Sequence, residues 1–173
     1  MIKGGKGGGK TITGLRFESR ISLEKAISSL SHYEVSDDTI YYKDKKVAEL
    51  YQKHKLYKNL LEPNDIDFKA IISKKLLPDE AILIIKDKTL FIIEIKFQEV
   101  AGSVDEKLQT CDFKNKQYKK LLSSLNISVK YVYVLNDWFK KKEYKDVLDY
   151  VKSVGCYYFF NELPLDFLDL PMP

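Results

Sequence analysis

Residues 77–98, LPDEAILIIKDKTLFIIEIKFQ, constrain the fold more than any other part of the chain. Two apolar runs, 81–85 and 90–95, flank the polar connection Lys86-Asp87-Lys88-Thr89. Both runs are rich in β-branched residues, and a short polar link between such runs predicts two strands joined by a hairpin. Alternate side chains along a strand share a face, so Glu94 and Lys96 point the same way while Ile95 turns into the core. A carboxylate and an ammonium therefore leave one edge of a buried sheet. They do so beside the acidic pair Asp79 and Glu80, which precedes the first strand.

Hydrolysis of a phosphodiester supplies a chemical reason for this arrangement. Two carboxylates from neighbouring strands can hold a hard divalent cation such as Mg²⁺, which prefers oxygen ligands and keeps several waters. The cation polarises the phosphate and helps generate hydroxide, while a nearby lysine orients that water or steadies developing charge. The spacing is Pro78-Asp79, fourteen residues, then Glu94-Ile95-Lys96. It resembles the PD-(D/E)xK nuclease superfamily, which includes most type II restriction endonucleases, Holliday junction resolvases and several repair nucleases.

The resemblance implies an α/β fold with a restriction-endonuclease-like central mixed sheet flanked by helices. It also implies a Mg²⁺-dependent endonuclease acting on double-stranded DNA, of the sequence-specific type II restriction class. The alternatives are a resolvase or repair nuclease of the same fold, which reads DNA shape, and a DNA-binding module without catalysis. In this superfamily the first acidic ligand directly follows Pro, which selects Asp79; Glu80 falls on the opposite face once the strand has begun. Asp79 and Glu94 then hold the metal, joined by the backbone carbonyl of Ile95, and Lys96 positions the attacking water. TGLRFE at residues 13–18 resembles the first-helix element of many members, whose Glu reaches the metal cluster, and so nominates Glu18. After the lysine, FQEVAGSVDEKLQT is similar to restriction-type members and nominates Gln98, Ser103, Lys107 and Gln109 as DNA or metal-shell contacts.

The opening MIKGGKGGGKT contains a formal phosphate-loop match, Gly4, four residues, then Gly9-Lys10-Thr11. Such a loop must hang from a buried strand, and only Met1, Ile2 and Lys3 precede it. Residues 1–10 therefore read as a flexible Gly/Lys-rich arm that lets Lys10 approach a phosphate chain, with no nucleotide cofactor. Residues 13–30 follow, with apolar positions at mixed threes and fours, and predict an amphipathic helix that starts at a threonine. Two short strands, 39–42 and 47–51, flank the turn at residues 43–46, ahead of a helix over 52–61 stopped by Glu62-Pro63. His32 and His54 are isolated, and the loop at residues 63–67 reads as a turn.

Ser103 with Glu106 three residues on forms a capping-box pattern, opening a helix over 104–125 with a break near Cys111-Asp112. Residues 129–135, VKYVYVL, read as a strand buried on both faces. Asn136-Asp137 then cap a helix to about Val151, and residues 156–160 give a last aromatic strand. The tail, ELPLDFLDLPMP, spaces its apolar residues with Pro and Asp and packs on the core or on a second subunit.

The 173 residues fit a single nuclease domain with a sizeable core. A net charge of +4 suits a polyanionic partner. Of the 29 basic side chains all but Arg16 and Arg20 are lysines, and bidentate guanine readout usually comes from Arg. Cys111 and Cys156 lack metal-ligand spacing and suit a reducing cytoplasm. No apolar run approaches a membrane span, and no signal-peptide core is present. One compact domain cuts one strand, so double-strand cleavage at a palindrome implies a homodimer.

Overall fold

The computed structural model describes residues 13–17, 21–100 and 102–173. Its centre is the expected hairpin. β5 (Glu80–Ile84) and β6 (Thr89–Lys96) pair antiparallel, with Ile82 opposite Phe91 and Glu80 opposite Ile93. Every residue of β5 and the first six of β6 are buried.

Three further strands extend the sheet on the β5 side. They are β2 (Tyr33–Ser36), β3 (Thr39–Tyr42) and β4 (Lys45–Leu50), all antiparallel to their neighbours. Two-residue turns join them: Asp37 and Asp38, then Lys43 and Asp44, all with φ between 48° and 63°. That left-handed pair matches the twist of the strands it connects. The second turn is therefore shorter than the expected four residues, and Lys45 and Lys46 belong to β4. On the other side β7 (Ser128–Leu135) runs parallel to β6, and β8 (Tyr157–Phe160) parallel to β7. The sheet order is β2-β3-β4-β5-β6-β7-β8. The fold is thus mixed α/β, with a central mixed sheet flanked by helices, as expected from the sequence.

Parallel neighbours need crossovers, and these are helical. α2 (Val104–Leu108) and α3 (Cys111–Leu122) connect β6 to β7, and α4 (Lys145–Ser153) leads to β8. They cover one face of the sheet. There Leu90, Ile92, Tyr131, Tyr133 and Leu135 pack with Cys111, Tyr118, Leu121 and Leu122 of α3 and Leu148 and Val151 of α4. A π-helical segment, Leu56–Leu61, completes that layer. On the other face Phe91, Ile93, Ile82, Val132 and Val134 pack with α1 (Leu23–Ser28) and with the tail residues Leu163, Leu165, Leu168 and Leu170. The tail is core.

Further local expectations are overturned. Residues 13–30 are not one helix: β1 (Gly14–Arg16) pairs with β9 (Glu162–Pro164), and only α1 is helical. Gly14 permits the pairing, because a Cβ there would lie 2.4 Å from a Glu162 carboxylate oxygen and 2.6 Å from its Cγ. α1 starts at Ser22, whose hydroxyl accepts from the Lys25 N–H at 3.3 Å. Ser103 makes no capping hydrogen bond to α2. The helix expected from Asn136 to Val151 begins only at Lys145, after two short 3₁₀ turns. Asn136 does not cap it, because its side chain is spent elsewhere: Oδ1 accepts from the Gln98 N–H at 3.3 Å and Nδ2 donates to the Gln98 carbonyl at 2.8 Å.

Candidate active site

Strand parity assembles the site. On β6, Leu90, Ile92, Glu94 and Lys96 alternate with Phe91, Ile93 and Ile95, so Glu94 and Lys96 lie on the α3 side of the sheet. Pro78 and Asp79 run just ahead of β5 and are held against the end of β4. The Lys53 N–H donates to the Pro78 carbonyl at 3.0 Å and the Tyr51 N–H to the Ala81 carbonyl at 2.8 Å. Asp79 shares parity with Ala81 and Leu83 and so faces α3 too.

These three side chains meet. Lys96 Nζ lies 2.9 Å from Asp79 Oδ2 and 2.8 Å from Glu94 Oε2. A fourth group completes the cluster: Lys114 of α3 reaches Glu94 Oε1 at 3.2 Å. Glu94 is the buried anchor, its side chain 5% exposed against 47% for Asp79. A buried carboxylate is costly unless paired, and here each of its oxygens faces an ammonium. Burial alone would lower the pKa of Lys96. The charge and hydrogen bond of Glu94, seconded by Asp79, outweigh it and hold the ammonium above the ordinary lysine value. Burial, reinforced by Glu94's charge, pushes the Tyr118 and Tyr131 hydroxyls well above the usual phenol range, so both are neutral.

Glu80 goes elsewhere. Its parity sends it to the α1 side, where Oε1 accepts from the Leu23 N–H at 3.2 Å and Oε2 from Gln52 Nε2 at 3.0 Å. Burial raises its pKa, and those two hydrogen bonds only partly reverse the shift. A cleft of about 500 Å³, lined by Ser22, Gln52, Lys53, Asp79, Glu80, Ile95 and Phe97 among others, opens beside the cluster. Asp79 belongs to both.

The other nominated residues are more dispersed. Gln98 is buried, and its Nε2 donates to the Val100 carbonyl at 2.6 Å, so the amide braces the turn that follows β6. Ser103, Lys107 and Gln109 are exposed around α2, where the Lys107 and Leu108 carbonyls accept from the Tyr133 hydroxyl at 3.3 Å. Glu18 and Lys10 lie outside the described residues. His32 and His54 are exposed. Lys114 escaped the sequence reading, although a signal exists: it lies three residues after Cys111 and four before Tyr118, both buried on the helix face turned to the sheet.

The donor set fits a hard divalent cation. Two carboxylate oxygens, one from β6 and one from the residue just ahead of β5, already converge on one cationic centre, the Lys96 ammonium, and Mg²⁺ takes oxygen ligands of this kind. Among the described residues no group of three or more Asp, Glu, His or Cys side chains comes together. A cation here would draw two protein carboxylates and complete its shell with backbone oxygen, water and substrate, as Mg²⁺ commonly does.

No protein-family model matches the chain, and no curated protein matches it. Among solved structures it is similar to MunI restriction endonuclease in complex with cognate DNA. The identity is 16% and the TM-score 0.41, over 75% of this chain and 80% of that one.

Proposed function

We propose that this protein is a Mg²⁺-dependent endodeoxyribonuclease that cleaves double-stranded DNA at specific sequences as a homodimer, in the manner of a type II restriction enzyme. One observation carries the reading: Asp79, Glu94 and Lys96 converge at the end of β6, beside an open cleft. Asp79 and Glu94 would hold the cation, with the Ile95 carbonyl as a third oxygen. When bound, Mg²⁺ would polarise the scissile phosphate and acidify a water. Lys96, displaced from the carboxylates, donates a hydrogen bond to that water or to a phosphate oxygen and steadies the charge that develops there. Glu94 of β6 is fixed by burial and Asp79, just ahead of β5, reaches the surface, so one ligand is rigid and the other accessible. Lys10, Ser103, Lys107 and Gln109 supply backbone contacts, Gln98 shapes the turn behind Lys96, and Glu18 assists through a second metal or a bound water. The net charge of +4 favours the encounter with DNA. One site per chain cuts one strand, so cleavage of both requires two copies about a two-fold axis.

The test is incubation of a long mixed-sequence linear duplex with Mg²⁺ or Ca²⁺, using the wild-type protein and Lys96→Ala. Discrete Mg²⁺-dependent fragments that vanish with the variant are expected. A duplex left intact by the wild-type protein across Mg²⁺ concentrations refutes sequence-specific cleavage.

A further inference from the structure

Lys114 stands outside the acidic-acidic-lysine pattern, yet it is bonded to the most buried charge in the cluster. Its ammonium lies 3.2 Å from Glu94 Oε1, while Lys96 takes the other oxygen at 2.8 Å. Asp79, Glu94, Lys96 and Lys114 sum to zero charge. That balance suits the free protein, in which Glu94 is almost wholly removed from water.

A divalent cation arriving between Asp79 and Glu94 would leave the cluster with two surplus positive charges. In a part-buried setting such a surplus is relieved by moving one ammonium onto an anion. Lys96 is tied to both carboxylates, at 2.9 and 2.8 Å. Lys114 is tied to one, at the longer distance of 3.2 Å, from a helix lying across the sheet face, and its side chain is 29% exposed. It is the ammonium that leaves most easily, and a phosphodiester reaching the exposed side of the cluster, where Asp79 and Lys114 meet solvent, is the anion that would receive it.

We infer that Lys114 is a positioning residue that couples cation binding to phosphodiester binding. Without DNA it holds Glu94 Oε1 and competes with the cation for that carboxylate. With a phosphate in place it transfers to the phosphate oxygen, frees Glu94 and lets the cation bind fully. Linkage makes the effect reciprocal: the cation tightens DNA binding by the factor by which DNA tightens cation binding. The inference rests on the nuclease reading of the site.

Calorimetric titration with Ca²⁺ tests it without requiring cleavage, because Ca²⁺ takes the same oxygen ligands. The titration is run on the free protein and on its complex with a short duplex. For the wild-type protein, duplex is expected to tighten Ca²⁺ binding about ten-fold. Lys114→Ala and Lys114→Gln, the latter keeping most of the side chain's length, are expected to bind Ca²⁺ about ten-fold tighter in the free state and to gain little from duplex. Lys114→Arg keeps the charge and should keep the coupling. If both neutral variants match the wild-type protein in Ca²⁺ affinity and duplex effect, while Asp79→Asn abolishes Ca²⁺ binding, the coupling role is overturned and the nuclease reading stands. Ca²⁺ binding that is absent, or indifferent to Asp79→Asn, with duplex present overturns both.

Discussion

Replacing Lys96 with methionine separates the ammonium from the two carboxylates it bridges, and it tests their convergence without any catalytic assay. Methionine keeps the apolar stem and removes the charge. The pair with Asp79, nearly half exposed, contributes at most about 1 kcal/mol. The pair with Glu94 is different, since stripping the partner from a buried charge typically costs about 3–5 kcal/mol. Lys114 still faces the other Glu94 oxygen, which brings the expected loss down to about 2–3 kcal/mol. For a chain of 173 residues that is a drop in Tm of roughly 4–12 °C.

The variant leaves two carboxylates facing one vacated cationic centre, so divalent cation should restore what the ammonium supplied. A ligand at one hundred times its Kd stabilises the folded state by about 2.7 kcal/mol, enough to recover most of the loss. Urea unfolding followed by circular dichroism, with and without millimolar Ca²⁺, measures both quantities. Ca²⁺ should raise the midpoint of Lys96→Met well above its effect on the wild-type protein, and the gain should vanish in Lys96→Met/Asp79→Asn. A midpoint for Lys96→Met that ignores Ca²⁺ would show that the two carboxylates do not form a shared cation site.

Two further changes probe what surrounds the site. Glu80 has a pKa raised by burial, so the native state holds its proton more tightly than the unfolded chain. Its contribution therefore falls as pH rises from the ordinary carboxylate value through the raised one. Glu80→Gln should remove that part of the pH dependence, with Gln52 turning its amide to accept; a stability–pH profile above the ordinary carboxylate range that is unchanged from the wild-type protein's would contradict this. Asn136→Ala removes both clasping bonds to the Gln98 backbone and should cost about 1–2 kcal/mol in urea unfolding. It should also weaken the proposed cleavage, because the clasp fixes the chain two residues beyond Lys96, and a loss below about 0.3 kcal/mol would mean that other contacts hold this turn.

The central hairpin was legible because its signal is local. Continuous β-branched runs, a polar link and turn-forming residues all point to one structure, and the observed strands depart from the expected ends by a single residue. The N-terminal segment was not legible, because its partner is remote. Leu15 and Phe17 are buried and Arg16 is exposed, a period-2 pattern three residues long that a helical period absorbs without difficulty. What settles the conformation is Glu162–Pro164, almost at the other end of the chain. Asn136 shows the same limit: its side chain suits a helix cap, and a non-local bond to Gln98 outcompetes that local preference.

The site divides along the same line. That Glu94 and Lys96 share a face follows from strand geometry alone. The choice between Asp79 and Glu80 depends on where β5 begins and which side of the sheet α3 covers. The first residue of β5 is Glu80 itself, and its carboxylate is consumed by the Leu23 N–H and Gln52, leaving Asp79 to meet Lys96. Lys114 required more still, because it is one of several lysines on a polar helix and its role depends on α3 packing over the end of β6. Charge offers a criterion that spacing does not. A carboxylate as buried as Glu94, held by one lysine while that lysine also serves Asp79, would leave the cluster one positive charge short. A second cation beside Glu94 offsets that charge, and among the residues of α3 it is Lys114, beside the buried Asn115, that supplies it.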